Sequence, residues 1–209
     1  MSMWAWLANL FRAYPFSMQM TGHMLLAQVF APLLLLALPR AMASRIAEEP
    51  LTKKLSWLLS HRPVTWLVGM GAMWTWHLPA ACHAIASHPG LESVEDISFF
   101  LSGIVFWWPI FSPLPRERMT PVPWAVLYLV WGCLSCTLLG IILAFAPSGG
   151  HAGMPGITAA DQHTGGLIMW VPGCLIYLAA VIAMFARWYS TPEEIVVEYR
   201  ISSGSELTR

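Results

Sequence analysis

Five long apolar stretches divide the chain, at residues 16–38, 63–86, 94–114, 122–146 and 164–190, separated by shorter segments that hold most of the charge. Each stretch is long enough to cross a hydrocarbon core of about 30 Å, which takes about 20 apolar residues in a helix. Lipid offers no partner for open backbone N–H and C=O groups, so helices are the expected form of each stretch. Pro32, Pro79, Pro109 and Pro172 fall inside these runs and predict local kinks. The expected architecture is an all-α polytopic membrane bundle of about five transmembrane helices, one domain over residues 1–190 with a tail at 191–209.

Around these runs the pattern changes character. Met3, Trp4, Trp6 and Leu7 form a short apolar start without a positive leader, expected as an interfacial segment anchored by tryptophan. Residues 41–60 mix Arg, Glu and Lys with Leu55, Trp57, Leu58 and Leu59, the pattern of an amphipathic helix lying against a bilayer.

Composition supports this reading. Of the 209 residues, 57% are apolar and 11% charged, whereas a soluble domain carries roughly 25% charged residues to cover its wet surface. The 12 Trp, 9 Phe and 12 Met exclude a disordered chain. The sequence holds no Walker A loop, dinucleotide fingerprint or HExxH motif, and no basic surface suited to nucleic acid.

The zero net charge conceals an asymmetry. Ten of the eleven cations lie at or beyond the ends of the first, third and fifth stretches: Arg40, Arg45, Lys53, Lys54 and Arg62; Arg116 and Arg118; Arg187, Arg200 and Arg209. Only Arg12 lies on the other side. The positive-inside rule then predicts an external N-terminus and a cytoplasmic C-terminus.

In that frame the other ionisable groups gather outside. Six of the seven histidines, all but His61, and the acids Glu92, Glu95, Asp96 and Asp161 fall in the outer loops or outer third of the spans. Charged groups at membrane depth are costly and are usually paired, wet or functional. Gln19, Met20, His23 and Met24 share one face of the first span; Met70, Met73, Trp74 and His77 share one face of the second; Glu92, Glu95 and Asp96 share one face of the third. Imidazole and thioether suit copper, with thioether favouring Cu(I), while carboxylates suit harder ions. The candidate metal ligands are therefore His23, His77, His163, Asp161, Glu92, Glu95, Asp96, Met20 and Met24.

Each has a plainer alternative. Methionines at helical spacing fill core gaps, His23 can serve an interhelical hydrogen bond, and the acids of the third span can simply favour a helix N-terminus. The Cys133-Leu134-Ser135-Cys136 motif sits in mid-span, where redox or carrier partners have no access. With Gly132 and Gly140 it forms a small-residue face for close helix packing, with Cys174 at similar depth.

Four blocks in order carry a family resemblance. They are Gly22-His23-Met24-Leu25-Leu26 with Ala31-Pro32-Leu33-Leu34; Trp76-His77-Leu78-Pro79; Phe99-Phe100-Leu101 and Gly103 with Val105-Phe106-Trp107-Trp108-Pro109; and Asp161-Gln162-His163-Thr164-Gly165-Gly166 running to Pro172-Gly173. The chain resembles the CtaG-type cytochrome c oxidase assembly factors. The resemblance implies a non-enzymatic protein of the bacterial plasma membrane that inserts copper into a haem-copper oxidase. Its implied partners are oxidase subunits or another respiratory complex within the lipid bilayer, and a homodimer could supply ligands from two copies. Gln19 stands where the family typically has a histidine, and Glu92 and Asp96 flank Glu95 where histidines tend to occur, so zinc is an alternative to copper. A metal-free accessory subunit of a respiratory complex is the rival reading. A haem- or quinone-binding protein is a third, since His23 with His77 or His163 could ligate haem axially.

Overall fold

A computed structural model describes residues 13–39, 59, 61–88, 90–112, 121–146 and 157–189. Among them every regular element is helical. Helix α1 runs over Pro15–Ala37, α2 over Arg62–Trp76, α3 over Pro79–Ser87, α4 over Leu91–Phe111, α5 over Val122–Phe145 and α6 over Ala159–Tyr189. The expected interfacial start, the amphipathic segment 41–60 apart from Leu59, and the tail at 191–209 lie outside the described residues.

Among the described residues four helices are long and apolar enough to cross a membrane: α1, α4, α5 and the Ala159–Ala186 part of α6. Their outward faces carry Leu33, Leu36, Leu101, Trp131, Leu138, Leu175 and Ile182, all exposed. The chain is a membrane protein. The stretch expected as a second span is instead broken in two. Pro79 opens α3 and holds Leu78 in an extended conformation (φ −68°, ψ 140°), so α2 ends at Trp76. The 15 residues of α2 extend for about 22 Å, short of a full hydrocarbon core.

Contacts nonetheless place α2 parallel to α5 and antiparallel to α4. Its start meets the start of α5 through Thr65 and Tyr128, and its end meets the start of α4 through Trp76 and Ser98. Helices α1, α4 and α6 run the opposite way, with Phe16 beside Asp161 and Gln19 beside Glu95. One end of the bundle therefore collects the starts of α1, α4 and α6 and the ends of α2 and α5.

The other prolines behave differently from Pro79. Pro109 and Pro172 sit within continuous helices. Pro32 follows a π-helical turn at Leu25–Phe30, in which the Ala31 N–H donates to Leu26 O. Continuing that pattern would pair Ala27 O with the nitrogen of Pro32, which has no hydrogen. The indole Nε1 of Trp107 on α4 donates to that carbonyl instead, at 3.0 Å. Gly103 makes this reach possible, since a Cβ there would sit 2.8 Å from both the Cα and the O of Ala27. The expected kink is a side-chain-satisfied π turn.

Helices α5 and α6 approach closely along small residues. A Cβ on Gly166 would overlap the backbone of Ala144, and one on Gly140 would lie 2.8 Å from Trp170 Cβ. Cys136 is fully buried and donates to Met169 O, while Cys133 lies 3.3 Å from Cys174. The cysteines here pack helices together.

Trp107→Phe removes the donor to Ala27 O while keeping an aromatic ring. It should cost about 1 kcal/mol, the loss of a hydrogen bond to a part-buried carbonyl. A drop in thermal midpoint in detergent, with helicity unchanged, checks this; an unchanged midpoint would show that the carbonyl finds another donor.

Candidate functional site

At the end where α1, α4 and α6 begin lies a cavity of about 620 Å³. Its lining includes Gln19, Met20 and His23 from α1, His77 after α2, Cys82 from α3 and Glu92, Glu95 and Asp96 from α4. Each element delivers its residues for a physical reason. The start of α4 is set by Gly90, whose φ of 103° is left-handed and suits glycine. Glu92 then falls in the first turn of α4, where the helix dipole favours a carboxylate. This is why α4 starts earlier than hydropathy suggests. His77 sits in the turn that Pro79 imposes and is folded inward, 5% exposed.

His23 is the centre of the cluster. It is 3% exposed, its ring stacks on Phe99 at 4.1 Å between centroids, and it meets the His77 ring edge-on at 5.9 Å. Its Nε2 lies 3.4 Å from Glu95 Oε1 and 3.9 Å from Asp96 Oδ1, yet neither ring nitrogen makes a hydrogen bond. Glu95 is buried and takes a 2.9 Å hydrogen bond from Gln19 Nε2 on its other oxygen. Asp96 and Glu92 stand at the exposed rim.

His77 has a defined tautomer when neutral. Its Nδ1 is 2.7 Å from Met73 O, and a carbonyl only accepts, so Nδ1 carries the proton. Nε2 is then a lone pair facing Met20 Sδ at 3.2 Å. An imidazole nitrogen and a thioether sulfur, both acceptors, thus stand side by side under the cavity.

Two sequence candidates lie elsewhere. Asp161 is fully buried, and its carboxylate receives Phe16 N–H at 2.9 Å, Ser17 N–H at 2.9 Å and Ser17 Oγ–H at 2.6 Å. It caps the start of α1 from the neighbouring helix, the task of an N-cap residue. Gln162 donates through Nε2 to Leu143 O and Ala146 O, and His163 Nδ1 lies 3.2 Å from Ala144 O. These are carbonyls of the last turn of α5 and just beyond it, which have no helical donor. The Asp161-Gln162-His163 block therefore ties the ends of α1 and α5 to α6. His163 is exposed beside Phe145 and does not line the cavity around His23. Met24 points past His23 toward the core, 7% exposed. Among the described residues no three His, Cys, Asp or Glu side chains come together as a metal-binding group. What does converge is Met20, His23, His77 and Glu95, with Gln19.

A family model for the cytochrome c oxidase caa3 assembly factor (CtaG) matches residues 2–191. The chain belongs to this family. No curated protein and no solved structure matches it. Family membership assigns the protein a part in cytochrome c oxidase assembly, in keeping with its membrane helices. All four blocks noted in the sequence lie inside the matched residues, and two of them supply His23 and His77 to the cavity. Gln19, on the His23 face and not among the candidate ligands, is the residue that holds Glu95; its place one turn before His23 is the signal for it.

Asp161→Ala should destabilise the caa3 assembly factor by about 2–4 kcal/mol, as α1 loses the carboxylate bound to Phe16 and Ser17. Asp161→Asn keeps one acceptor and should cost about half as much. Thermal unfolding in lipid nanodiscs measures both; equal loss in the two variants would argue against a capping role.

Proposed function

We propose that this assembly factor takes up copper at the external face of the bacterial plasma membrane and passes it to a subunit of its haem-copper oxidase. The membrane is crossed five times in this reading, with α2 and α3 together making the second passage, the N-terminus outside and the C-terminus in the cytoplasm. The observation that carries it is the pairing of His77 Nε2 with Met20 Sδ at 3.2 Å, beside a buried His23 whose nitrogens have no hydrogen bond. Imidazole with thioether is a soft pair, which suits Cu(I) better than zinc. Zinc usually takes four ligands from Cys, His and carboxylates. In neutral His77 the Met73 carbonyl holds the proton on Nδ1, which leaves the Nε2 lone pair on the Met20 side. Copper is cargo here, and the cavity gives an oxidase subunit a route to it.

A second reading has its own support. Glu95 is held by Gln19 and faces His23, so the cluster is partly satisfied by itself. A protein that kept the fold and dropped the metal would serve as a fixed accessory subunit of the complex.

Purification from native membranes with partners retained separates the two. Copper in equimolar amount, lost in His77→Ala and reduced about tenfold in affinity by Met20→Leu, with only transient oxidase association, supports copper transfer. A metal-free protein in fixed stoichiometry with the oxidase supports the accessory subunit.

A further inference from the structure

Beneath His23 lies a second, smaller void of about 30 Å³. Four methionines line it, Met24 from α1, Met70 and Met73 from α2, and Met169 from α6. All four are between 1% and 7% exposed. His23 is the one described residue that lines both this void and the outer cavity. Gln28 also lines the void; its Nε2 donates to Tyr177 Oη, and its Oε1 has no hydrogen bond. The void is thus lined by four methionine side chains, by His23, whose ring nitrogens make no hydrogen bond, and by Gln28, whose Oε1 has none.

Resting on the copper reading above, we infer that this void is an interior holding site for a soft monovalent cation, Cu(I) or its analogue Ag(I), reached through His23. The chemistry selects the ion. Thioethers bind soft cations and leave hard ones to their water shells. The sulfurs, the amide and a neutral imidazole bring no charge, so the ion's charge must be matched nearby, because an isolated charge is costly at this depth. Glu95, 3.4 Å from His23 Nε2 and buried, supplies one negative charge. Asp96 Oδ1, 3.9 Å from the same nitrogen, stands at the exposed rim, so selection of the ion rests on the thioethers and not on the count of charges. The space is that of a single small occupant, since about 10–15 Å³ of such volume already admits a water. His23 stands where an ion leaving Met20 and His77 would next find a nitrogen.

The plain alternatives are a packing gap filled by flexible methionines, or a water bridging Gln28 and His23. Titration of the full chain in nanodiscs with Cu(I), and separately Ag(I), against a competing chelator decides between them, with X-ray absorption at the copper edge to count sulfur neighbours. Met70→Leu with Met169→Leu nearly conserves volume and keeps the core filled. The double variant should bind Cu(I) at least about tenfold more weakly and lose sulfur neighbours, with helicity unchanged. Should the double variant aggregate, the single substitutions carry the same comparison. Unchanged affinity and sulfur count, together with release by His77→Ala, would overturn the interior site and leave the outer one standing. A wild-type chain that binds neither Cu(I) nor Ag(I) would overturn both.

Discussion

The carboxylate of Asp161 holds the start of one helix against the side of another, and the position of the cluster depends on that grip. In lipid the free N–H groups at a helix start have no water to turn to. Phe16 and Ser17 find both oxygens of Asp161, which fixes α1 alongside α6 in a parallel register. That register carries Met20, His23, Met24 and Gln28 to successive depths along α1. Gln28 meets Tyr177 of α6 at the far end of the same contact. Gln162, the next residue after Asp161, closes the last carbonyls of α5. One short segment of α6 thus satisfies two helix ends, and His23 is delivered to its place as a consequence.

Much of this was legible in the sequence, and the exceptions have clear causes. The apolar runs mark α1, α4, α5 and α6 within a few residues, because lipid demands uninterrupted helices. Their starts were missed wherever polar residues do helical work. Glu92 and Asp161 lower mean hydropathy while favouring helix N-termini. The second run looked continuous because hydropathy is blind to the effect of Pro79 on Leu78. The grouping of His23, His77, Glu95 and Met20 followed from helical spacing and a shared end of the bundle. Asp161 and His163 share that end too, and spacing alone could not separate ligands from caps. Their tasks depend on which backbone groups of α1 and α5 lie within reach, a matter of packing between segments distant in sequence.

The cluster is notable for what faces what. Gln19 offers Glu95 a donor and no lone pair to a metal through that nitrogen. Where the family resemblance implies a histidine, this chain places a group that holds the carboxylate. Glu95 is then held beside His23 by that amide. In the proposed copper reading the donor set shifts from nitrogen and oxygen toward sulfur, with Met20 at His77 and the four methionines below.

His23 stands at the boundary between two kinds of space. Above it the cavity is open enough for water and rimmed by Glu92 and Asp96; below it the void is lined largely by methionine and aromatic side chains. A hydrated ion can reach the first and cannot enter the second without losing its water shell. That loss is tolerable only for an ion that gains sulfur and nitrogen donors in exchange, and whose charge Glu95 can match. On the proposed reading, His23 would discriminate between ions by solvation as much as by ligand type. The same π turn that frees Ala27 O for Trp107 lies one turn below His23 on α1. The backbone that brings α1 close to α4 at Gly103 therefore also shapes the wall of the void, and the packing of the membrane core and the chemistry of the site rest on one helix.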